Sequence, residues 1–353
     1  NNKVDRKALP APEGGLASVA EYVAPEGDVE TGLAAIWAAT LGVEQVGVLD
    51  DFFELGGHSL LAVRLVADID RQMGVSLPLA AVFQGRTIRG ILAFVGDSGE
   101  AENLKMLVPL RQEGQKLPFF AGGSHPGYRE AIEHLDRDRP FYQMDIYSLL
   151  QSRVMKGLSP PRTIEDMASV LIDEIRKVQP SGPYHLGGGC EGGMVAFEMA
   201  RQLQAAGEEV RSLVIWVVEA PQIFARPSRL RAIKRVVLHV LGHMIGEQGD
   251  RFRWRDLAPT LRHEHLEYLI YGAMESYRPK SPYRGDLVLA RHFLPGFPEV
   301  EEESLGWQSL VTGNVTVRSL PGNHSDWLNK HASALGRLLN ELLATGEIIR
   351  KAS

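Results

Sequence analysis

Near the middle of the chain the sequence reads Gly187-Gly188-Gly189-Cys190-Glu191-Gly192-Gly193. Small residues two before and two after a nucleophile let a strand and a helix pass closely at a sharp turn, and Gly188 and Gly192 occupy those two places. The preceding segment, Pro183 to Leu186, predicts a short strand, and the following apolar residues recur at helical spacing. The order of strand, turn and helix indicates a nucleophile elbow with the chain's only cysteine at its apex.

The predicted position of Cys190 has chemical consequences. A helix N-terminus brings positive dipole and free N–H groups, which favour a thiolate and can hold a developing oxyanion. We expect the backbone N–H of Glu191 to be the first oxyanion donor. Two alternatives remain: a buried structural cysteine beside an ordinary tight turn, and an engineered cysteine in place of a natural serine, made to trap an acyl-enzyme.

Composition limits the classes of protein that the chain can belong to. The 353 residues are 44% hydrophobic, with 38 basic and 44 acidic side chains and a formal net charge of −6. This balance gives no reason to expect nucleic acid, and no segment has the pattern of a membrane span or a signal peptide. A single cysteine excludes an internal disulfide. We expect a cytoplasmic protein with two domains and no metal site.

The apolar spacing changes character along the chain. Residues 1–27 read as the tail of an upstream domain and a Pro/Gly-rich linker, and residues 28–97 predict a small helical bundle with its clearest helices at 29–41, 59–73 and 87–95. Residues 98–106 are a linker. From Leu107 to the end, short apolar runs alternate with helical patterns, which indicates a mainly parallel α/β sheet. The predicted strands are Pro118–Ala121, Pro140–Asp145, Tyr184–Gly187, Leu213–Val218, Leu287–His292 and Val315–Ser319.

The strand pattern stops between Pro221 and Pro279. Amphipathic stretches such as Leu230–Leu241 and Leu257–Tyr277 replace it, so a helical lid over an active site is predicted at about 222–278. The alternative is that these helices only cover a sheet edge.

A second motif lies in the small domain, Asp51-Phe52-Phe53-Glu54-Leu55-Gly56-Gly57-His58-Ser59-Leu60. On its own, Ser59 could be an ordinary N-cap serine. The whole string resembles the attachment motif of peptidyl carrier domains in nonribosomal peptide synthetases. The resemblance implies a four-helix carrier domain, covalent 4'-phosphopantetheine on Ser59, and a phosphopantetheinyl transferase as partner.

The two ends of the chain extend this resemblance. The first ten residues resemble the closing motif of an adenylation domain, where a lysine matching Lys3 serves adenylation, although Asn2 replaces the usual glycine. Residues 107–353 resemble the type I thioesterase that ends such synthetases, an α/β hydrolase. The resemblance implies upstream adenylation and condensation domains and a peptidyl substrate, with no role for nucleic acid or membrane.

In that family the general base lies in a G-x-H segment after the last strand, and Pro321-Gly322-Asn323-His324 matches it. His324 is therefore the expected base, while Asp326 is expected to cap the following helix. The loop Gly122-Gly123-Ser124-His125-Pro126-Gly127 resembles the one that supplies the second oxyanion donor. Because Pro126 has no N–H, the backbone of His125 is the expected donor. His185, His292 and His331 are expected to be ordinary histidines.

The family's acid is an aspartate at the end of the strand after the elbow helix, where an ungapped alignment places Val217. Glu219 would take its place if the strand were two residues longer, since a two-residue shift keeps the same facing. Glu299 and Glu301, after a later strand, are the rivals to Glu219.

These features together predict release of a peptide from the carrier arm through a second thioester on Cys190. Because a cysteine thioester keeps the activation that an oxoester would lose, and because the family's cysteine-elbow members have been associated with four-membered rings, the expected release is cyclisation to a β-lactam or β-lactone. Hydrolytic release as a linear acid shares every motif. A non-catalytic docking domain, suggested by Val217, is the remaining alternative.

Overall fold

The structure is a computed structural model that describes residues 22–57, 59–73, 75, 77, 79–96, 105–123, 125, 127–224, 259–292, 304–322 and 331–348. The chain divides after Gly96 into two compact units. Within the described ranges, no helix is long and apolar enough to cross a membrane. The predicted helix at 230–241 and the N-terminal tail lie outside these ranges.

The first unit is helical. Its helices are α1 (Gly27–Leu41), α2 (Ser59–Met73), α3 (Leu79–Gly85) and α4 (Ile88–Gly96). Trp37 and Phe52 are fully buried and meet edge to face, with ring centroids 5.2 Å apart. Gly57 packs against the same Phe52, because a Cβ there would lie 2.4 Å from the ring. The core therefore fixes the segment immediately before α2.

Hydrogen bonds hold the loop that leads to Ser59. The Asp51 carboxylate accepts the backbone N–H of Phe53 at 2.8 Å and the Arg86 Nε–H at 2.5 Å. The Arg86 guanidinium in turn lies 5.1 Å from the centroid of the Phe53 ring, a cation–π distance. The Phe-Phe motif thus provides both core packing and a fixed loop.

The second unit is built on one seven-stranded sheet of order β1-β3-β2-β4-β5-β6-β7. Only β1 runs antiparallel to its neighbour, and the other pairings are parallel. The strands are β1 (Leu107–Arg111), β2 (Phe119–Gly122), β3 (Phe141–Met144), β4 (Tyr184–Gly189), β5 (Val210–Trp216), β6 (Leu287–His292) and β7 (Val315–Leu320).

Helices cover both faces of this sheet. They are α5 (Tyr128–Glu133), α6 (Ile146–Met155), α7 (Ile164–Val178), α8 (Cys190–Ala205), α9 (Pro221–Phe224), α10 (Pro259–Ser276) and α11 (Ala332–Ile348). Phe120 packs with α6, α7, α8 and α10, whereas its neighbours Phe119 and Ala121 pack with α5 and α11. This alternation along β2 places two separate cores on the two faces.

Two glycines let β2 and α8 come into direct backbone contact. A Cβ on Gly192 would lie 2.2 Å from the carbonyl carbon of Gly122, and a Cβ on Gly122 would lie 2.5 Å from the Gly192 oxygen. Within the elbow, a Cβ on Gly188 would lie 2.4 Å from that same oxygen. Only glycine fits these three positions.

Replacing Gly192 by alanine is expected to lower the free energy of unfolding by about 1–3 kcal/mol or more, the usual cost of overpacking. The matched control is Gly272→Ala on α10, where a Cβ meets no atom within 4 Å. That substitution is expected to raise the free energy of unfolding by about 0.5–1 kcal/mol. Urea unfolding followed by tryptophan fluorescence measures both, and a Gly192→Ala variant as stable as the parent would contradict the contact.

Candidate active site

Cys190 lies at the junction of β4 and α8, as the elbow predicts. Gly189 is extended, and Cys190 has a φ of 49°, in the left-handed region that non-glycine residues seldom adopt. Its side chain is half-buried. A residue held in this conformation at a strand-to-helix turn is typical of a functional site, where the surrounding packing imposes the strain.

The electrostatics at Cys190 disfavour the thiolate. Burial raises the pKa of the Cys190 thiol well above its usual value, and the negative charge of Glu191 raises it further. A helix N-terminus contributes about 0.3–1 kcal/mol in favour of the anion, less than burial can oppose. Burial and the Glu191 charge therefore oppose the thiolate that the helix N-terminus was expected to favour.

His125 lies in the segment after β2 that the sequence assigns to the second oxyanion donor. Its Nδ1 accepts the backbone N–H of Gly127 at 3.0 Å, so the neutral ring carries its proton on Nε2. Burial lowers the pKa of His125 to about 4, and the ring is neutral at physiological pH. Because β2 ends at Gly122, the glycine that touches Gly192, this segment starts beside the elbow.

Glu219 follows the strand next to β4, where Trp216 is paired with Gly189. The strand ends at Trp216 and not two residues later, because Val217 turns into the left-handed region with a φ of 55°. The argument that a longer strand preserves the facing of Glu219 is therefore wrong. Even so, Glu219 is half-exposed between two buried residues, Val218 and Ala220, at the carboxyl edge of the sheet.

Hydrogen bonds fix the backbone on both sides of Glu219. The Val218 carbonyl accepts the indole N–H of Trp307 at 2.9 Å, and the Ala220 N–H donates to the Leu305 carbonyl at 3.0 Å. Glu219 thus has a defined place one strand away from Cys190. His324, Glu299, Glu301 and Asp326 lie outside the described residues. The chain enters the His324 segment from β7, whose carboxyl end shares the edge with β4 and β5.

The structure adds aromatic and acidic residues that the sequence motifs do not indicate. Burial raises the pKa of Tyr147 on α6 well above its usual value, and the charges of Glu191 and of Glu267 on α10 raise it further. Burial likewise raises the pKa of Tyr128, with smaller contributions from Glu191 and Cys190. These groups come from different helices that meet around the elbow, so no local pattern in the sequence reveals them. In the described part of the chain, no three His, Cys, Asp or Glu side chains are placed to hold a metal ion.

Ser59 is the first residue of α2, and its side chain lies outside the described residues. A hydroxyl at the start of a 15-residue helix suits a phosphodiester, since free backbone N–H groups favour an anion there. The preceding Gly56 has a φ of 96°, and a Cβ on it would meet no atom within 4 Å. Gly56 is therefore exposed, with open space beside its Cα.

Comparison with known proteins decides the family. A thioesterase domain model matches residues 117–343, and a phosphopantetheine attachment site model matches residues 31–95. The chain belongs to the thioesterase family. Its second unit is an acyl-transfer enzyme of this family, and its first unit is a carrier domain that holds phosphopantetheine covalently on a serine.

Several synthetases are similar to nearly the whole chain. Chondramide synthase cmdD of Chondromyces crocatus is 32% identical over 93% of this chain, and a dimodular nonribosomal peptide synthase of Bacillus subtilis is 31% identical over 92%. A holo four-domain nonribosomal peptide synthetase crystallised with AMP and glycine aligns with 96% of this chain at 27% identity and a TM-score of 0.54. The chain spans only 9%, 14% and 28% of these proteins, respectively.

The carboxylate of Glu191 disfavours the Cys190 thiolate, so Glu191→Gln is expected to lower the pKa of this thiol. Burial remains, and the pKa should stay above that of an ordinary cysteine. The rate of Cys190 alkylation by iodoacetamide, measured against pH, should therefore rise at a lower pH than in the parent. Glu267→Gln, which removes a charge near Tyr147, is the matched control and should leave the profile in place. An unmoved profile for Glu191→Gln, or one shifted to higher pH, would contradict the assignment.

Proposed function

We propose that this chain is the terminal carrier–thioesterase part of a nonribosomal peptide synthetase, and that its peptide is transferred from Ser59 to Cys190 and released by cyclisation. Upstream adenylation and condensation domains would supply the peptide, and a phosphopantetheinyl transferase would modify Ser59. The observation that carries the proposal is the position of Cys190, which occupies the apex of the elbow within a thioesterase domain.

Because burial and the Glu191 charge oppose the Cys190 thiolate, acylation needs a base. Phosphopantetheine, when attached to Ser59, supplies the thiol that holds the peptide as a thioester at the end of a flexible arm. His324 takes the proton from Cys190, and Sγ attacks the thioester carbonyl carbon. The backbone N–H groups of Glu191 and His125 hold the oxyanion, and Glu219 orients the His324 ring. As the tetrahedral species collapses, His324 gives its proton to the leaving thiol.

Release then depends on the acyl group's own nucleophile. An amine or hydroxyl of the peptide attacks the Cys190 thioester and loses its proton to His324, which returns the proton to the cysteine sulfur as that sulfur is expelled. Hydrolysis of a thioester releases more free energy than hydrolysis of an oxoester. An acyl group on cysteine therefore stays activated enough to close a strained four-membered ring. Thioesters also favour amines over water more strongly than oxoesters do. A β-lactam or β-lactone is therefore the proposed product, and a linear acid is the alternative.

The product's mass distinguishes the two outcomes. When the carrier is loaded with a peptide that has a β-amine or β-hydroxyl, the parent protein should release a product lighter than the linear acid by one water. Cys190→Ser, which gives an oxoester, should shift release toward the linear acid, and Cys190→Ala should release neither. Linear acid alone from the parent, with Cys190→Ser equally active, would contradict ring formation.

The assignment of the acid is tested by exchanging its position. Glu219→Gln should lower kcat for release by about 10²- to 10⁴-fold, because the base loses its orientation and the charge that stabilises its protonated form. Adding Val217→Asp to that variant should restore part of the activity, since Asp tolerates the left-handed conformation better than Val does. If Glu219→Gln retains full kcat, Glu219 is not the acid, and Glu299→Gln and Glu301→Gln become the informative variants.

A further inference from the structure

Tyr128 is buried at the carboxyl edge of the sheet, where it touches the ends of two strands. It is 1% exposed and begins α5. Its hydroxyl donates to the carbonyl of Gly122, the last residue of β2, at 2.9 Å. Its ring meets Trp216, the last residue of β5, edge to face at 6.0 Å. One side chain thus ties together two strand ends that flank β4.

Tyr128 also contacts the segment that contains His125. The Tyr128 N–H donates to the His125 carbonyl at 3.3 Å, and the two rings lie 6.3 Å apart. With the bond from Gly127 to His125 Nδ1, the carbonyl and the ring of His125 are both held. At the start of the segment, the Gly123 N–H donates to the Met144 carbonyl at 3.1 Å. The described residues of this loop are therefore anchored at each end, and Tyr128 contributes to both anchors.

The hydroxyl bond of Tyr128 acts at the point where the loop meets the elbow. Its acceptor, Gly122, is the residue whose carbonyl carbon would lie 2.2 Å from a Cβ on Gly192. Gly192 follows Glu191 directly, so a shift of the Gly122 peptide changes the spacing between the His125 loop and the Glu191 N–H. Burial raises the pKa of Tyr128 well above its usual value, which keeps the phenol protonated and able to donate at any physiological pH.

We propose that Tyr128 is a positioning residue that sets the distance between the two oxyanion donors, the backbone N–H groups of His125 and Glu191, through its hydrogen bond to Gly122. The proposal rests on the proposed function of Cys190 as the acylated nucleophile. Tyr128 itself does not touch the reacting atoms. It acts on the loop, and its effect appears only where an oxyanion forms.

Two reactions of Cys190 separate this role from a general structural one. Acyl transfer from a thioester passes through an oxyanion, whereas alkylation by iodoacetamide forms the Sγ–C bond with direct loss of iodide and forms no oxyanion. A misplaced oxyanion donor therefore slows acyl transfer and leaves the rate of alkylation unchanged. Damage to the elbow or to the thiol slows both.

The test is Tyr128→Phe in the full chain, with Tyr184→Phe as the matched control. Tyr184 is also buried, and its hydroxyl also donates to a backbone carbonyl, that of Gln179 at 3.1 Å, but it lies at the opposite end of β4 from Cys190. Acyl transfer is measured with acetyl- and octanoyl-N-acetylcysteamine thioesters, by chromatography of the released thiol. Alkylation is measured with iodoacetamide by intact mass.

Tyr128→Phe should lower kcat for acyl transfer by about 10- to 100-fold, the scale of a small misplacement at a reacting centre. KM and the alkylation rate should stay within about twofold of the parent's values, a change much smaller than the expected loss of kcat. Tyr184→Phe should leave all three quantities unchanged. An unchanged kcat for Tyr128→Phe, or an equal loss in both reactions, would overturn the proposal. A Cys190→Ala variant with the parent's kcat would instead show that the proposed nucleophile is wrong.

Discussion

The contact between the backbones of Gly122 and Gly192 is the constraint on which the site depends. It brings the end of β2 against the first turn of α8, and it leaves no room for a side chain on either residue. Cys190 and Glu191 lie at the start of that turn, and the segment of His125 begins where β2 ends. The candidate oxyanion donors are therefore brought together by close packing of main chain, which varies less than contacts between long side chains.

The charge at the elbow works against the nucleophile. Burial and the Glu191 carboxylate both raise the pKa of Cys190, and the N-terminal dipole of α8 is too weak to reverse them. A thiol with a raised pKa reacts more slowly with adventitious electrophiles, because less of it is present as thiolate. Under the proposed mechanism, His324 removes the proton as the acyl group arrives. The raised pKa of Cys190 agrees with its proposed role as a nucleophile that reacts when an attached carrier delivers the acyl group.

Local patterns in the sequence predicted most of the fold and the position of Cys190 at the turn from β4 to α8. The elbow could be found because its glycines are spaced by a steric requirement within a few residues. The edge strand β1 was missed because it contains Pro109 and only Val108 among its five residues is buried, so it shows no apolar run. The end of β5 was misplaced because a β-branched valine gives no local sign of the left-handed conformation that Val217 adopts. Tyr128 and Tyr147 could not be assigned, because tertiary packing alone brings them near Glu191.

Transfer of the acyl group from Ser59 to Cys190 before release is the step on which the proposed function depends. The most direct measurement is peptide mapping by mass spectrometry of the carrier-loaded protein, with an acyl group that lacks any internal nucleophile and so stalls after transfer. If the acyl group is transferred, its mass should appear on the proteolytic peptide that contains Cys190, while the Ser59 peptide keeps a free prosthetic thiol. An acyl group found only on the Ser59 peptide, while linear acid accumulates in solution, would contradict it.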